Sequence, residues 1–366
     1  MVSILYTLGT VIGSLALPSI GRLIDHYGSR RMVAIIALLF GLACIYMGVV
    51  QNALMLGLGF LAIRMLGQGS LGLVSQNVIN QWWVRRRGLV MGLSGLLMSL
   101  LGVGGFPILI NALIPLYGWR VTYMLLGFLL IGLMAPLGLL FFRPQPEVYG
   151  LQPDGDRLTA SKEADASKQL VEENWTLAEA SRTLSFWILA LGLALIAMLA
   201  TGLFFHMVSI FADNGLNATA AAAVFLPIAV TTAVVNLGGG ILVDRIAPQL
   251  LLATALICQA LSLGLAKFLQ SIELVLLYGL ALGVTMGLLN VVSSVVWANY
   301  FGRRHLGSIT GAASTILVFG SALGPIPLGF ARDWWGSYNP ALTALTILSL
   351  ALGLASLFVD RPRKRS

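Results

Sequence analysis

GRLIDHYGSRR (residues 21–31) and GGILVDRIAP (residues 239–248) each break a long apolar run with glycine, one aspartate and arginine. Laid over one another at an offset of 219 residues, Gly21 meets Gly240 and Asp25 meets Asp244. The same offset carries Gly88 onto Gly307 and Gly92 onto Gly311. Four coincidences at one offset, in two separate breaks and the run that follows, mark an internal duplication. The chain is therefore two pseudo-symmetric halves.

The solvent for those halves follows from composition. Of 366 residues, 58% are hydrophobic and 10% charged, and the mean hydropathy is +0.91. A water-soluble domain carries about 25% charge, so a soluble enzyme is excluded and the bilayer is the solvent. A spanning helix needs about 20 apolar residues. Runs of that kind lie at 1–20, 32–50, 54–80, 89–115, 121–142, 184–211, 218–241, 249–268, 273–298, 307–330 and 339–358. The expectation is an all-α membrane protein with eleven spans.

The net charge of +8 reports topology rather than nucleic-acid binding, because the basic residues fall in alternate breaks. One set holds Arg22, Arg30, Arg31, Arg85, Arg86, Arg87, Arg143, Arg157, Lys162, Lys168, Arg182, Arg245, Arg303, Arg304 and the tail from Arg361; the other holds only Arg120, Lys267 and Arg332. Cytoplasmic loops collect Lys and Arg, which predicts a multi-pass protein of the plasma (inner) membrane with a cytoplasmic C-terminus. Cys44 and Cys258 lie in mid-run, which favours packing over a disulfide or a metal. Zinc spacing, a phosphate-cradling loop and a catalytic triad are all missing from the sequence, so no cofactor, no metal and no ATP-driven pumping are expected.

The polar segment 143–183 holds eight of the fourteen acids and divides a first membrane half, 1–142, from a second, 184–366. At the offset of 219 the helix beginning near 184 has its counterpart before Met1, so the first half is expected to have five helices and the second six. The expected design is twelve helices lacking the first.

On these residues the chain resembles the major facilitator superfamily. GRLIDHYGSRR (Gly21, Asp25, Gly28, Arg30, Arg31) is similar to its signature loop between the second and third helices, and GGILVDRIAP (Gly240, Asp244, Arg245) stands at the second-half copy. IRMLGQGSLG, with Arg64, Gln68 and Gly72, is similar to the fourth-helix pattern, and Gly102, Gly104, Gly105 and Pro107 resemble a fifth-helix motif. The resemblance implies a two-half helical bundle around a central cavity and alternating access, with the two loops as gates. Asp25 can cap a neighbouring helix N-terminus, and Arg30 and Arg31 can pair with it or with lipid phosphates. A static topology anchor is the other reading of the same loop.

Candidates for the substrate or proton pathway are polar residues within spans. Arg64 must face the bundle interior, because an arginine at a helix centre costs about 2.5–3.5 kcal/mol. It binds an anionic substrate, tunes a proton site, or is satisfied by backbone carbonyls, and Gln68 shares its face one turn on. His206 offers a group that titrates near neutral pH, although a lone histidine among apolar residues also fits a satisfied core position. Asn290, Ser293, Ser294 and Trp297 follow helical spacing and give one helix a partly polar face.

RPQPEVYGLQPDG (143–155), YGWR (117–120), TLAEASRTLSFW (176–187) and NYFGRRHLGSITG (299–311) are similar to the monocarboxylate porter and oxalate:formate antiporter branch. That likeness implies secondary transport of a small organic solute, a monocarboxylate or related anion, by proton symport or anion exchange, from a monomer in lipid. The spans 218–241 and 307–330 lack the basic residues that carboxylate carriers of the branch place there. Efflux of a lipophilic compound, and a membrane sensor or transport-dead fragment, are the competing readings.

Overall fold

The computed structural model describes residues 2–98, 101, 106–155 and 174–362. The regular elements among them are helical. The first half holds α1 (Val2–Leu15), α2 (Leu17–Tyr27), α3 (Ser29–Gly48), α4 (Ala53–Ile63), α5 (Gly72–Trp82), α6 (Arg87–Leu97), α7 (Phe106–Leu129) and α8 (Ala135–Phe141). A short α9 (Leu177–Ala180) precedes the second half, which holds α10 (Leu184–Asp213), α11 (Ala218–Ala223), α12 (Phe225–Val243), α13 (Pro248–Leu265), α14 (Ile272–Phe301), α15 (Leu306–Leu323), α16 (Pro325–Trp335) and α17 (Asn339–Leu357). A chain surrounded by hydrocarbon satisfies its backbone within helices, which is what this composition does.

Ten helical stretches among the described residues are long and apolar enough to cross a membrane, and α6 is a shorter apolar helix. The predicted span 89–115 falls partly on residues outside the description, as do Gly102, Gly104 and Gly105; Pro107 lies in α7. The predicted break around YGWR is a turn at Gly118, whose φ of 75° favours glycine. Elsewhere the breaks carry ordinary caps: Asn52, Thr183 and Ser271 accept from the backbone N–H of Met55, Phe186 and Leu274.

The stretch 21–31 is tighter than a loop. Helix runs through Tyr27 and resumes at Ser29, with only Gly28, at φ 79°, between them. Gly21 and Asp25 therefore sit in the last turns of α2, and Arg30 and Arg31 in the first turn of α3.

The duplication reappears as packing. In the second half α12 lies along α14 and α13 along α17; in the first, α1 lies along α4 and α3 along α7, the same pairs at the same offset. The halves meet reciprocally, α2 against α15 and α6 against α12. One relation is not repeated. Helix α10 packs inside the second half against α15 and α16, with Gly320 tight on the Ala194 carbonyl. Among the described residues the first half places no helix there, and Leu101, at the position equivalent to Gly320, is 68% exposed.

Candidate transport pathway and the seam between the halves

The residues IRMLGQGSLG shape a break in helix regularity. Between α4 and α5 the chain runs as a π-helix from Arg64 to Leu71, with the Ser70 hydroxyl donating to the Met65 carbonyl at 2.7 Å. Such insertions widen the turn and bring side chains out of register, and they recur at functional positions. Here the wide turn presents Arg64 and Gln68 to a cavity of about 170 Å³ lined also by Thr10, Ser14, Gln76 and Ser314. Arg64 Nε donates to Thr10 Oγ1 at 3.0 Å, and the guanidinium lies 4.8 Å from the Tyr6 ring centroid. No carboxylate pairs with Arg64 among the described residues.

A second cavity of about 700 Å³ joins the first at Gln68, Gly72 and Gln76 and reaches Asn236, Asn290, Ser293 and Ser294 across the halves. Its other wall is apolar, with Met91, Met98, Met134 and Val33. Val33 is equivalent at the offset to Leu252, which in the second half packs on Gly192 of α10. Part of the larger cavity is thus the place α10 fills in the other half.

The structure separates the predicted pathway residues. Arg64, Gln68, Asn290 and Ser294 line connected space. Trp297 does not join them: it is 3% exposed and packs with Phe186 and Phe301 at ring distances of 5.4 and 6.3 Å. It keeps the helical register of the polar residues before it, but that face turns into aromatic core at the helix end. His206 stands apart in the second half, with Nε2 3.0 Å from the Pro325 carbonyl and Nδ1 3.2 Å from the Tyr338 hydroxyl.

Four of the predicted gate residues, Gly21, Asp25, Gly240 and Asp244, meet the opposite half at the Arg-rich face. Asp25 accepts from the backbone N–H of Gly307 at 2.8 Å and Ser308 at 2.9 Å, the first turn of α15. Asp244 accepts from Gly88 at 2.8 Å and Leu89 at 3.2 Å, the first turn of α6. Each carboxylate faces the positive end of a helix from the opposite half. The glycines admit this approach, because a Cβ on Gly21 would overlap the Gly307 carbonyl and one on Gly88 would overlap that of Gly240. Gly92 lies likewise on the Asn236 carbonyl and Gly311 on that of Leu17, the equivalent residue. Burial pushes the Asp244 carboxyl up from its ordinary 3.8, against the lowering by the two N–H donors and Arg87; the nearby Asp154 adds to the rise. Arg30 turns away, donating through Nε to the Leu139 carbonyl at 2.7 Å.

Arg87 reads in the sequence as one more topology marker, and the structure gives it a different place. It is 2% exposed. Its guanidinium donates to the carbonyls of Trp83 and Asn80 in its own half and to Asn299 Oδ1 in the other. Asn80 in turn donates to the Ser294 carbonyl at 2.9 Å. The one signal in the sequence is that Asn80 and Asn299 coincide at the offset of 219.

Curated proteins include no sequence relative that matches this chain. Among solved structures it is similar to the E. coli fucose:proton symporter FucP, with a TM-score of 0.72 at 14% identity over 99% of this chain and 91% of that one. A second FucP structure, in the outward conformation, gives 0.67 at 16% identity, covering 98% and 90%. The human organic anion transporter MFSD10 (TETRAN) gives 0.65 at 16% identity, covering 97% and 82%. These likenesses carry the fold. The sequence profile of the Major Facilitator Superfamily matches residues 1–325 and 211–366, between them the full length, and the chain belongs to that superfamily of membrane transporters.

Proposed function

We propose that this secondary transporter carries a small organic anion, of monocarboxylate type, by alternating access, and that Arg64 binds its carboxylate. The observation that carries the reading is an arginine on a cavity wall with no carboxylate partner among the described residues. A cation inside a membrane span without a counter-charge is costly, so a substrate that brings the charge is favoured. Gln68, Gln76 and Ser314 line the same small cavity and make no side-chain hydrogen bond within the described protein, which leaves them for a hydroxyl or carbonyl of the substrate. Structural neighbours that include an organic anion transporter and a fucose:proton symporter are consistent with this class.

Gating is assigned to Gly21, Asp25, Gly240 and Asp244, because their seam contacts join opposite halves and must break when that face opens, with Gly28, Arg30, Arg31 and Arg245 as parts of the same two turns. The Arg-rich face is taken as cytoplasmic, in the plasma membrane. Uptake of labelled lactate, pyruvate and oxalate into proteoliposomes tests the proposal. Saturable uptake of at least one acid, lost in Arg64→Gln while a neutral analogue is ignored, is the expected result. Flux of lipophilic dyes with no acid transported would select the efflux reading, favoured by the methionine wall; ligand binding without any flux would select a sensor.

A further inference from the structure

The segment after α8 folds back beneath the seam, and its hydrogen bonds and ion pair are separate from those of the cavity and of the gate carboxylates. It leaves the first half at Phe142 and is tied back to it at two points. Trp82 Nε1 lies 3.5 Å from the Arg143 carbonyl. Asp154 accepts from three successive backbone N–H groups, Val84 at 3.1 Å, Arg85 at 2.9 Å and Arg86 at 3.2 Å. Asp154 is also the one non-glycine residue at positive φ among the described residues, at 64°. Backbone held in that region marks a conformation fixed by its surroundings.

Between those two ties the segment reaches across. Glu147 pairs with Arg303 of the second half at 2.9 Å, and the other guanidinium nitrogen of Arg303 donates to the Gln81 carbonyl of the first half at 2.7 Å. Arg303 is therefore gripped by one group of this segment and one of the first half. At the offset, Arg303 coincides with Val84, so Glu147 and Asp154 dock on equivalent turns of the two halves.

We infer that residues 143–155 form a strap that holds the Arg-rich face shut, with the Glu147–Arg303 pair as its clasp and Asp154 as the residue that positions it. The inference rests on the alternating-access reading, since a clasp between halves has a function only if they separate. Both clasp partners belong to chain segments that would move apart on opening, so releasing Glu147 shifts the equilibrium toward the state open at this face. Exposed pairs of this kind are individually weak, which sets the size of the shift at about two- to five-fold. That is the range of a bias rather than a lock.

The test places a single cysteine at Ser293 in the cavity, with Cys44 and Cys258 replaced by alanine, and measures its labelling by a membrane-impermeant maleimide applied from the Arg-rich face. Glu147→Gln and Arg303→Gln should each raise the labelling rate about two- to five-fold, and the double variant should be no faster than Arg303→Gln alone. High salt should speed labelling of the parent protein and leave Glu147→Gln unchanged. Asp154→Ala and Asp154→Gly should both act like Glu147→Gln, whereas Asp154→Asn, which keeps an acceptor and tolerates positive φ, should act weakly. If Asp154→Gly is silent, the residue only serves the turn and the positioning claim falls. Unchanged labelling in Glu147→Gln, or additive effects of the two clasp variants, overturns the strap. Should labelling of the parent protein never respond to substrate from either face, the alternating-access reading fails instead. Variants are compared only where their elution from size-exclusion chromatography matches the parent.

Discussion

Asp25 stands to Gly307 as Asp244 stands to Gly88: in each case one carboxylate oxygen accepts the glycine N–H at 2.8 Å, and in each case the bond crosses from one half to the other. The two contacts are related by the same 219-residue offset that relates the sequences. A duplicated half thus meets its copy through one motif used twice, an aspartate near the end of one helix set against the start of another. Replacing either carboxylate by an amide takes one acceptor from a pair of N–H donors, which should loosen the seam without unfolding a half.

Asp25→Asn keeps an acceptor for one N–H but turns an amide NH2 toward the other donor at the head of α15. A hydrogen bond lost in this way is worth about 0.5–1.5 kcal/mol. Transport should slow about two- to tenfold while the amount of protein inserted in the membrane is unchanged. Asp244→Asn should do the same, and immunoblots of membranes alongside uptake rates check both. Normal kinetics in both variants would leave the motif as a topology anchor.

The glycines make a sharper prediction because the obstacle is backbone. A methyl at Gly88 meets the Gly240 carbonyl, which has no rotamer to escape into. Overpacking of this kind costs about 1–3 kcal/mol. Gly88→Ala and Gly307→Ala should shift the halves apart at the Arg-rich face, read as a longer distance between spin labels at Arg22 and Arg245. At Gly238, where nothing lies within 4 Å of an added methyl, Gly238→Ala should leave that distance alone.

What the sequence made legible was whatever repeats. Helix positions, the two aspartates and the paired glycines all follow from one offset, because a duplicated chain must pack its second copy as it packs its first. The places that break the repeat were not legible. Arg87 has Leu306 as its counterpart, and nothing in a run of three arginines says that the third is buried while the others face water. Trp297 keeps the expected helical face, yet Phe186, more than a hundred residues away, decides that it is core. The π-helix at Arg64–Leu71 widens its turns without any proline to announce it.

Arg87 should therefore matter more than its neighbours. Arg87→Met would leave the Asn80 carbonyl and the Asn299 amide oxygen without their donor in a buried junction, at about 1–3 kcal/mol for each group left unsatisfied. The thermal midpoint in detergent should drop by several degrees, while Arg85→Met should change it little. Equal, small shifts for the two variants would show that the burial of Arg87 has no energetic consequence.

Asp244 gives the seam a pH dependence with a definite sign. Its carboxyl is raised by burial when the seam is closed, and it returns toward 3.8 when the seam opens to water. The closed seam then binds the proton more tightly, so acidifying the Arg-rich face favours closure. That contribution is full below 3.8 and is lost as pH rises through the raised value. The Arg22–Arg245 label distance should shorten on acidification, and Asp244→Asn should flatten part of that response. An identical pH response in the variant would assign it to other groups.

His206 tests proton coupling through its hydrogen bonds. With the Pro325 carbonyl at 3.0 Å from Nε2, that nitrogen must carry a hydrogen, so a neutral ring accepts at Nδ1 from the Tyr338 hydroxyl at 3.2 Å. Protonating Nδ1 would reverse that bond and turn the Tyr338 hydroxyl toward Ser209 Oγ, 3.0 Å away, so both charge states find partners. Arg332, 5.3 Å from the Tyr338 ring and paired with Asp213, brings charge to the same end of the bundle from the neighbouring helix. A site that accommodates both states suits a proton relay. The same bonds suit a histidine that only ties α10 to α16. His206→Gln and Tyr338→Phe separate the two: a relay predicts that uptake loses its dependence on external pH in His206→Gln and that its midpoint moves in Tyr338→Phe. A structural tie predicts an unchanged pH profile with a lower thermal midpoint in both.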